Sequence, residues 1–167
     1  MNDHTPMKRL LLLLPITLLL MACPLKVSTP IDNGSAAVPA WLNGTWHQIK
    51  ESGMSPERYQ LVSFADSLGI LHAHILDTLG HAHPANFQRM VLSAVGDKTF
   101  ACIFDDADAP GYFVYRLERT DDTKLTLYGV NDTSAPLDPF LLRRWLLQFK
   151  DSDSIIDPGE TMVFVKE

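Results

Sequence analysis

Gly111-Tyr112-Phe113-Val114-Tyr115-Arg116-Leu117-Glu118-Arg119, followed at once by Thr123-Lys124-Leu125-Thr126-Leu127-Tyr128-Gly129-Val130, decides the fold. Both runs are rich in aromatic and β-branched residues and are bounded by polar turn residues, the pattern of paired strands. Phe113, Tyr115 and Leu117 fall on one face of the first strand. Leu125 and Leu127 share one face of the second. Side chains alternate with a period of two, so the two sets meet only if the connecting loop holds an odd number of residues. A three-residue loop, Thr120-Asp121-Asp122, satisfies that register.

Working outward, the same kind of run recurs. Thr45–Ile49, Arg58–Ala65, Gly69–Leu76, Asn86–Val95, Asp97–Phe104 and Thr161–Val165 read as further short strands. Turns fall at Asn43-Gly44, Gly96-Asp97 and Asp105–Gly111. Many short strands at close spacing predict a mainly β fold. The expected form is an antiparallel meander closed into a small barrel or a strongly curved sheet. The period changes once. Between Pro136 and Lys150, Leu141, Leu142, Trp145, Leu146 and Phe149 recur at helical spacing. Asp138 suits the N-cap and Pro139 the first helical position. This single C-terminal helix is expected to cover an edge or an end of the sheet.

The chain has 167 residues, enough for one domain, and a formal charge of −6. Removing residues 1–22 takes away Lys8, Arg9 and Asp3 and leaves the balance one unit more negative. An acidic balance argues against nucleic acid and against a polybasic membrane face. There are two cysteines, Cys23 and Cys102. Cys102 lies in the apolar run Phe100–Phe104 with no cationic neighbour close by, so it reads as a buried thiol that packs as a small hydrophobe.

Lys8-Arg9 precedes an uncharged run from Leu10 to Leu20, interrupted by Pro15. That run suits the core of a signal peptide and is too short to span a bilayer. Leu20-Met21-Ala22-Cys23 then resembles the bacterial lipobox. The resemblance implies lipidation of Cys23, cleavage before it, and a place in the bacterial cell envelope. Pro24 after the cysteine points to the outer membrane, facing the periplasm, if the source is Gram-negative. Residues 1–22 are thus expected to be a lipoprotein signal peptide. Residues 23–40, rich in proline and small polar residues, are expected to be a flexible tether. The domain is expected to occupy residues 41–167.

Trp41-Leu42-Asn43-Gly44-Thr45-Trp46 resembles the Leu-x-Gly-x-Trp opening of lipocalin-like barrels, which implies that Trp46 packs at the closed end of a barrel. Gly111–Glu118 with Lys124–Tyr128 is similar to the central hairpin of small uncharacterised bacterial envelope proteins. Those also continue with a helix and a last short strand. These likenesses imply a fold and leave the activity open.

Leu71-His72-Ala73-His74 and Gly80-His81-Ala82-His83 carry the most unusual local pattern. A hairpin turning on Asp77-Thr78 would pair His74 with His81 and His72 with His83. Period-2 geometry would then place four imidazoles on one face, a surface for Zn²⁺, Cu²⁺ or Ni²⁺. The acidic groups Asp105–Asp108 and Asp151–Asp153 lack the spacing of a calcium loop and read as solvated turns. No nucleophile elbow, phosphate loop or zincin motif is present. The expected function is therefore a lipid-anchored, non-enzymatic binding domain that takes a small apolar ligand or an envelope protein. Metal binding through His72, His74, His81 and His83 is the alternative.

Overall fold

The computed structural model describes residues 24–50, 53–63, 69–106 and 109–167. Among the described residues nine strands form: β1 (Lys26–Val27), β2 (Gly44–Lys50), β3 (Gly53–Ser63), β4 (Ile70–Leu76), β5 (Ala82–Val95), β6 (Lys98–Asp105), β7 (Gly111–Arg119), β8 (Lys124–Val130) and β9 (Ile156–Lys166). Every pairing is antiparallel. From β2 to β9 each strand pairs with the next, and β9 pairs back onto β2. The result is an eight-stranded closed barrel, which leaves no open sheet edge within that ring. Helix α1 (Pro139–Phe149) lies between β8 and β9 and packs on the outside of the barrel wall, not on an edge or across an end.

The hairpin that decides the fold forms with the predicted faces. Leu117 stands opposite Leu127 and Arg119 opposite Leu125. Thr120 N–H donates to the Lys124 carbonyl, so the loop proper is Asp121-Asp122-Thr123. It holds three residues, as parity demands, but starts one residue later than expected. Asp121 accounts for the shift, because its carboxylate accepts from the Thr123 backbone N–H at 2.8 Å and from the Thr123 hydroxyl at 2.9 Å. Such an Asx turn fixes where the chain reverses.

The alternating faces build two cores. Leu42, Trp46, Leu61, Leu71, Ala73, Met90, Leu92, Ala101, Tyr115, Leu117, Leu125 and Leu127 fill the lumen. The outward face of the β5–β8 wall carries Val91, Val95, Phe100, Cys102, Val114 and Val130, which Leu142 and Leu146 of α1 cover together with Ile155. Asp138 caps the helix, accepting from the Leu141 N–H at 3.0 Å, and Pro139 stands in the first turn.

The stretch expected to be a free tether is laid along this outer wall instead. Val27 and Ile31 are buried in the outer core, and Ala36 in the inner one. Strand β1 pairs with Tyr112 and Phe113 at the early end of β7, and the Leu25 N–H donates to the Val130 carbonyl. Asp32 then pins the segment. Its carboxylate accepts from the Ser93 hydroxyl at 2.8 Å, from the Ser35 hydroxyl at 2.6 Å and from the Gly34 N–H at 2.9 Å. Composition alone pointed to disorder; three well-spaced apolar residues and one carboxylate hold the segment. The domain therefore begins at least as early as Pro24. Cys23 and the expected signal peptide lie outside the described residues.

Candidate functional site

The histidine strands show a different register from the expected one. His72 stands opposite Arg89 and His74 opposite Phe87, not opposite His83 and His81. The turn is longer than a two-residue one. Leu76 pairs with Ala82, and Asp77 N–H donates to the His81 carbonyl. Gly80, at φ +83, supplies a backbone conformation that other residues rarely adopt. The Asp77 carboxylate accepts from the N–H groups of Leu79 and His81, each at 2.8 Å, and its pKa is held below the ordinary value, chiefly by the His81 bond. A register shift between His74 and Leu76 breaks the period-2 alignment further.

His72 and His74 do share the outward face of β4, with ring centroids 6.1 Å apart. Burial, then the charges of His74 and Arg89, push the His72 pKa down. His81 sits in the exposed turn with its Nδ1 3.4 Å from Asp77, and His83 belongs to β5. Among the described residues no three His, Cys, Asp or Glu side chains come together at a metal-binding distance. Cys102 is fully buried in the outer core, and burial pushes its thiol pKa up to about 12. That leaves it protonated at neutral pH and inert as a nucleophile.

Two hollows remain. The first is inside the barrel. Leu42, Trp46, Leu61, Met90, Met162 and Phe164 are among the residues lining a cavity of about 70 Å³. Trp46 lines this cavity and is buried. Its indole N–H donates to the Leu42 carbonyl at 2.9 Å, and the Trp41 ring meets it edge-on at 6.3 Å. The polar side chains on the cavity wall are Tyr59 and Gln88. The Tyr59 hydroxyl donates to Glu57, and burial, then that bond, raise its pKa above the ordinary value.

The second hollow is a groove of about 1140 Å³ on the outer face of β7, β8, β9 and β2. Arg116, Glu118, Lys124, Tyr128, Thr161 and Val163 line it. Arg116 is the residue that sequence alone did not single out. Alternation points it away from the lumen, yet it is only 6% exposed. The end of α1 explains this, because Arg116 donates to the Lys150 carbonyl and to Asp153, each at 3.3 Å. Its Nε lies 2.9 Å from Glu118, and its guanidinium stacks 5.2 Å from the Tyr128 ring centre. The buried charge is thus paired on two sides and stacked on an aromatic face. The sequence signal was an arginine flanked by Tyr115 and Leu117 in a strand whose other outward residues are partly apolar. Its partners lie 34 and 37 positions away, which is why it was not legible.

Among the described residues, no helix is long and apolar enough to cross a membrane. The barrel also has an apolar lumen and an outer β3–β4 face bearing Arg58, Gln60, His72 and His74, the reverse of a membrane-spanning barrel.

No family model matches the chain, and no curated protein does. A crystal structure of a DUF4909 family protein from Staphylococcus aureus is similar over 78% of this chain and all of that one, with 14% identity and a TM-score of 0.45.

Proposed function

We propose that this protein is a lipid-anchored, non-enzymatic binding domain of a bacterial envelope that holds a partner protein on the outside of its barrel. The observation that carries the choice of partner over small ligand is a ratio of volumes. The lumen leaves about 70 Å³. Pockets that enclose drug-sized ligands measure roughly 300–1,000 Å³, and an apolar cavity that admits benzene is about 150 Å³. The lumen is therefore a packed core with a small dry void. The outer groove offers about 1140 Å³ and a mixture of aromatic, apolar and charged groups, the composition of an interface centre with a polar rim. Tyr128, a residue type that contributes strongly to binding energy at interfaces, lies in it, its ring backed by the buried Arg116 guanidinium.

The anchoring rests on the pattern from Lys8 to Cys23, whose charge, apolar core and cysteine follow in lipoprotein order. A metal reading on His72, His74, His81 and His83 has less support, because the ladder does not pair the two His-x-His motifs.

The test is site-specific photo-crosslinking in intact cells. A crosslinking residue at Thr161 is expected to give discrete protein adducts. The same residue at Gln60, on the outward face of β3, is expected to give none. Tyr128→Ala should abolish the Thr161 adducts without lowering the amount of folded protein. Equal adducts at both positions, or none at Thr161, would remove the reading.

A further inference from the structure

We propose that the outward face of α1 lies in the lipid headgroup region, so that the membrane holds the barrel by one wall. This rests on the lipid-anchor reading of Cys23.

Pro24 is buried, and Leu25, Lys26 and Val27 are bonded to β7 and β8. A residue bonded to Pro24 has its Cα only about 3.8 Å from that of Pro24. A lipid on Cys23 would therefore enter the bilayer directly beside the ends of β7 and β8, with no tether to lift the domain away. The question becomes which surface faces the bilayer.

Strand β1 and Ile31 share one outer core with Leu142 and Leu146 of α1. The anchored segment and the helix thus cover the same wall. On that wall the helix turns Phe140 and Leu147 away from the protein, 68% and 53% exposed, and Leu137 and Leu141 flank them at 62% and 49%. Three of these large apolar side chains lie on the 11-residue helix and Leu137 lies just before its cap; together they form a patch that a water-facing surface rarely carries. The charges on the helix agree with a lipid occupant. Pro139–Phe149 contains no carboxylate, and its two cations are Arg143 and Arg144. Arg143 is held by the Ala94 carbonyl at 2.6 Å and lies 3.5 Å from Asp32. Arg144 is exposed, one turn from Phe140 and from Leu147. An exposed apolar stripe holding an arginine suits the boundary between acyl chains and lipid phosphates. The groove around Tyr128 and Thr161 starts where the end of α1 meets Arg116 and runs away from the helix over β8, β9 and β2.

The experiment uses full-length lipidated protein reconstituted into vesicles of three parts phosphatidylethanolamine to one part phosphatidylglycerol. Nitroxide labels are placed singly at Leu147→Cys, Phe140→Cys and Thr161→Cys. The expected result is a several-fold higher ratio of oxygen to nickel-chelate collisions at the two helix positions than at Thr161→Cys. The nickel chelate reaching all three labels equally, in vesicles that retain the protein, overturns the helix proposal and leaves the anchor standing. Spin–spin broadening at Leu147→Cys in place of oxygen contact shows that a second copy covers the face, and also overturns it. Protein whose mass lacks the lipid and which separates from the vesicles overturns the anchor reading itself, and this inference with it.

Discussion

Asp32 joins three parts of the outer wall. It ties residues 24–40 to β5 through Ser93 and lies against α1 through Arg143. Burial raises its pKa, but the bonds from Ser35, Ser93 and Gly34 outweigh that, so the net value falls below the ordinary 3.8. A carboxyl with a depressed folded-state pKa contributes stability that is present above the unfolded value and lost as pH falls through the folded one. The segment is therefore expected to loosen only below about pH 4, the ordinary carboxylate range. Asp32→Ala removes several charge-assisted bonds and leaves the buried Ser93 hydroxyl without its acceptor. The expected cost is about 1–3 kcal/mol at pH 7, read from urea unfolding. Proteolytic cutting within residues 24–40 should become faster in the same variant. An unchanged midpoint and cutting rate would show that Val27 and Ile31 suffice to hold the segment.

At the scale of elements, α1 divides into a face that stabilises the fold and a face that does not. Leu142 and Leu146 are completely buried against the outer wall. Leu142→Ala is expected to cost about 2–5 kcal/mol through lost burial and a cavity. Leu147→Ala, on the outward face, should stay within about 0.5 kcal/mol. Thermal or urea unfolding of the two variants checks the contrast, and equal costs would mean that the outward face is also packed. The helix was legible in the sequence down to its cap, because Asp138, Pro139 and the apolar period are local signals. The strands were legible for the same reason, since alternation and turn residues act within a few positions. Two features were not. The His-x-His pairing failed because the Asp77–His81 turn adds residues to a hairpin, and one residue is enough to change every facing pair. The segment 24–40 failed because its hold is non-local. Asp32 is 61 positions from Ser93 and 111 from Arg143. Arg116 stayed hidden on the same ground: strand period gives a direction, and only the packed helix end gives the burial.

For the whole molecule, the decisive quantity is how the barrel spends its interior. Eight strands make a ring just wide enough for side chains to fill, and here Trp46, Met90, Met162 and Phe164 nearly do so. Methionine is the natural filler of an irregular remainder, because its unbranched chain adapts to gaps. Met162→Ala, at a partly buried side chain, is therefore expected to cost about 0.5–3 kcal/mol and to enlarge the dry void. A void of that kind binds small apolar molecules, and anything that binds only the folded state raises its melting temperature. Benzene-sized ligands should accordingly raise the Tm of Met162→Ala and leave the Tm of the unaltered protein unchanged. The opposite outcome is equally informative. A Tm rise in the unaltered protein, with no further gain in Met162→Ala, would mean that the lumen opens for ligands on its own. The barrel would then work as a container and the outer groove would lose its claim. With a filled lumen, the proposed partner binding falls to the outer surface, where the groove around Arg116 and Tyr128 borders the wall that carries α1 and residues 24–40.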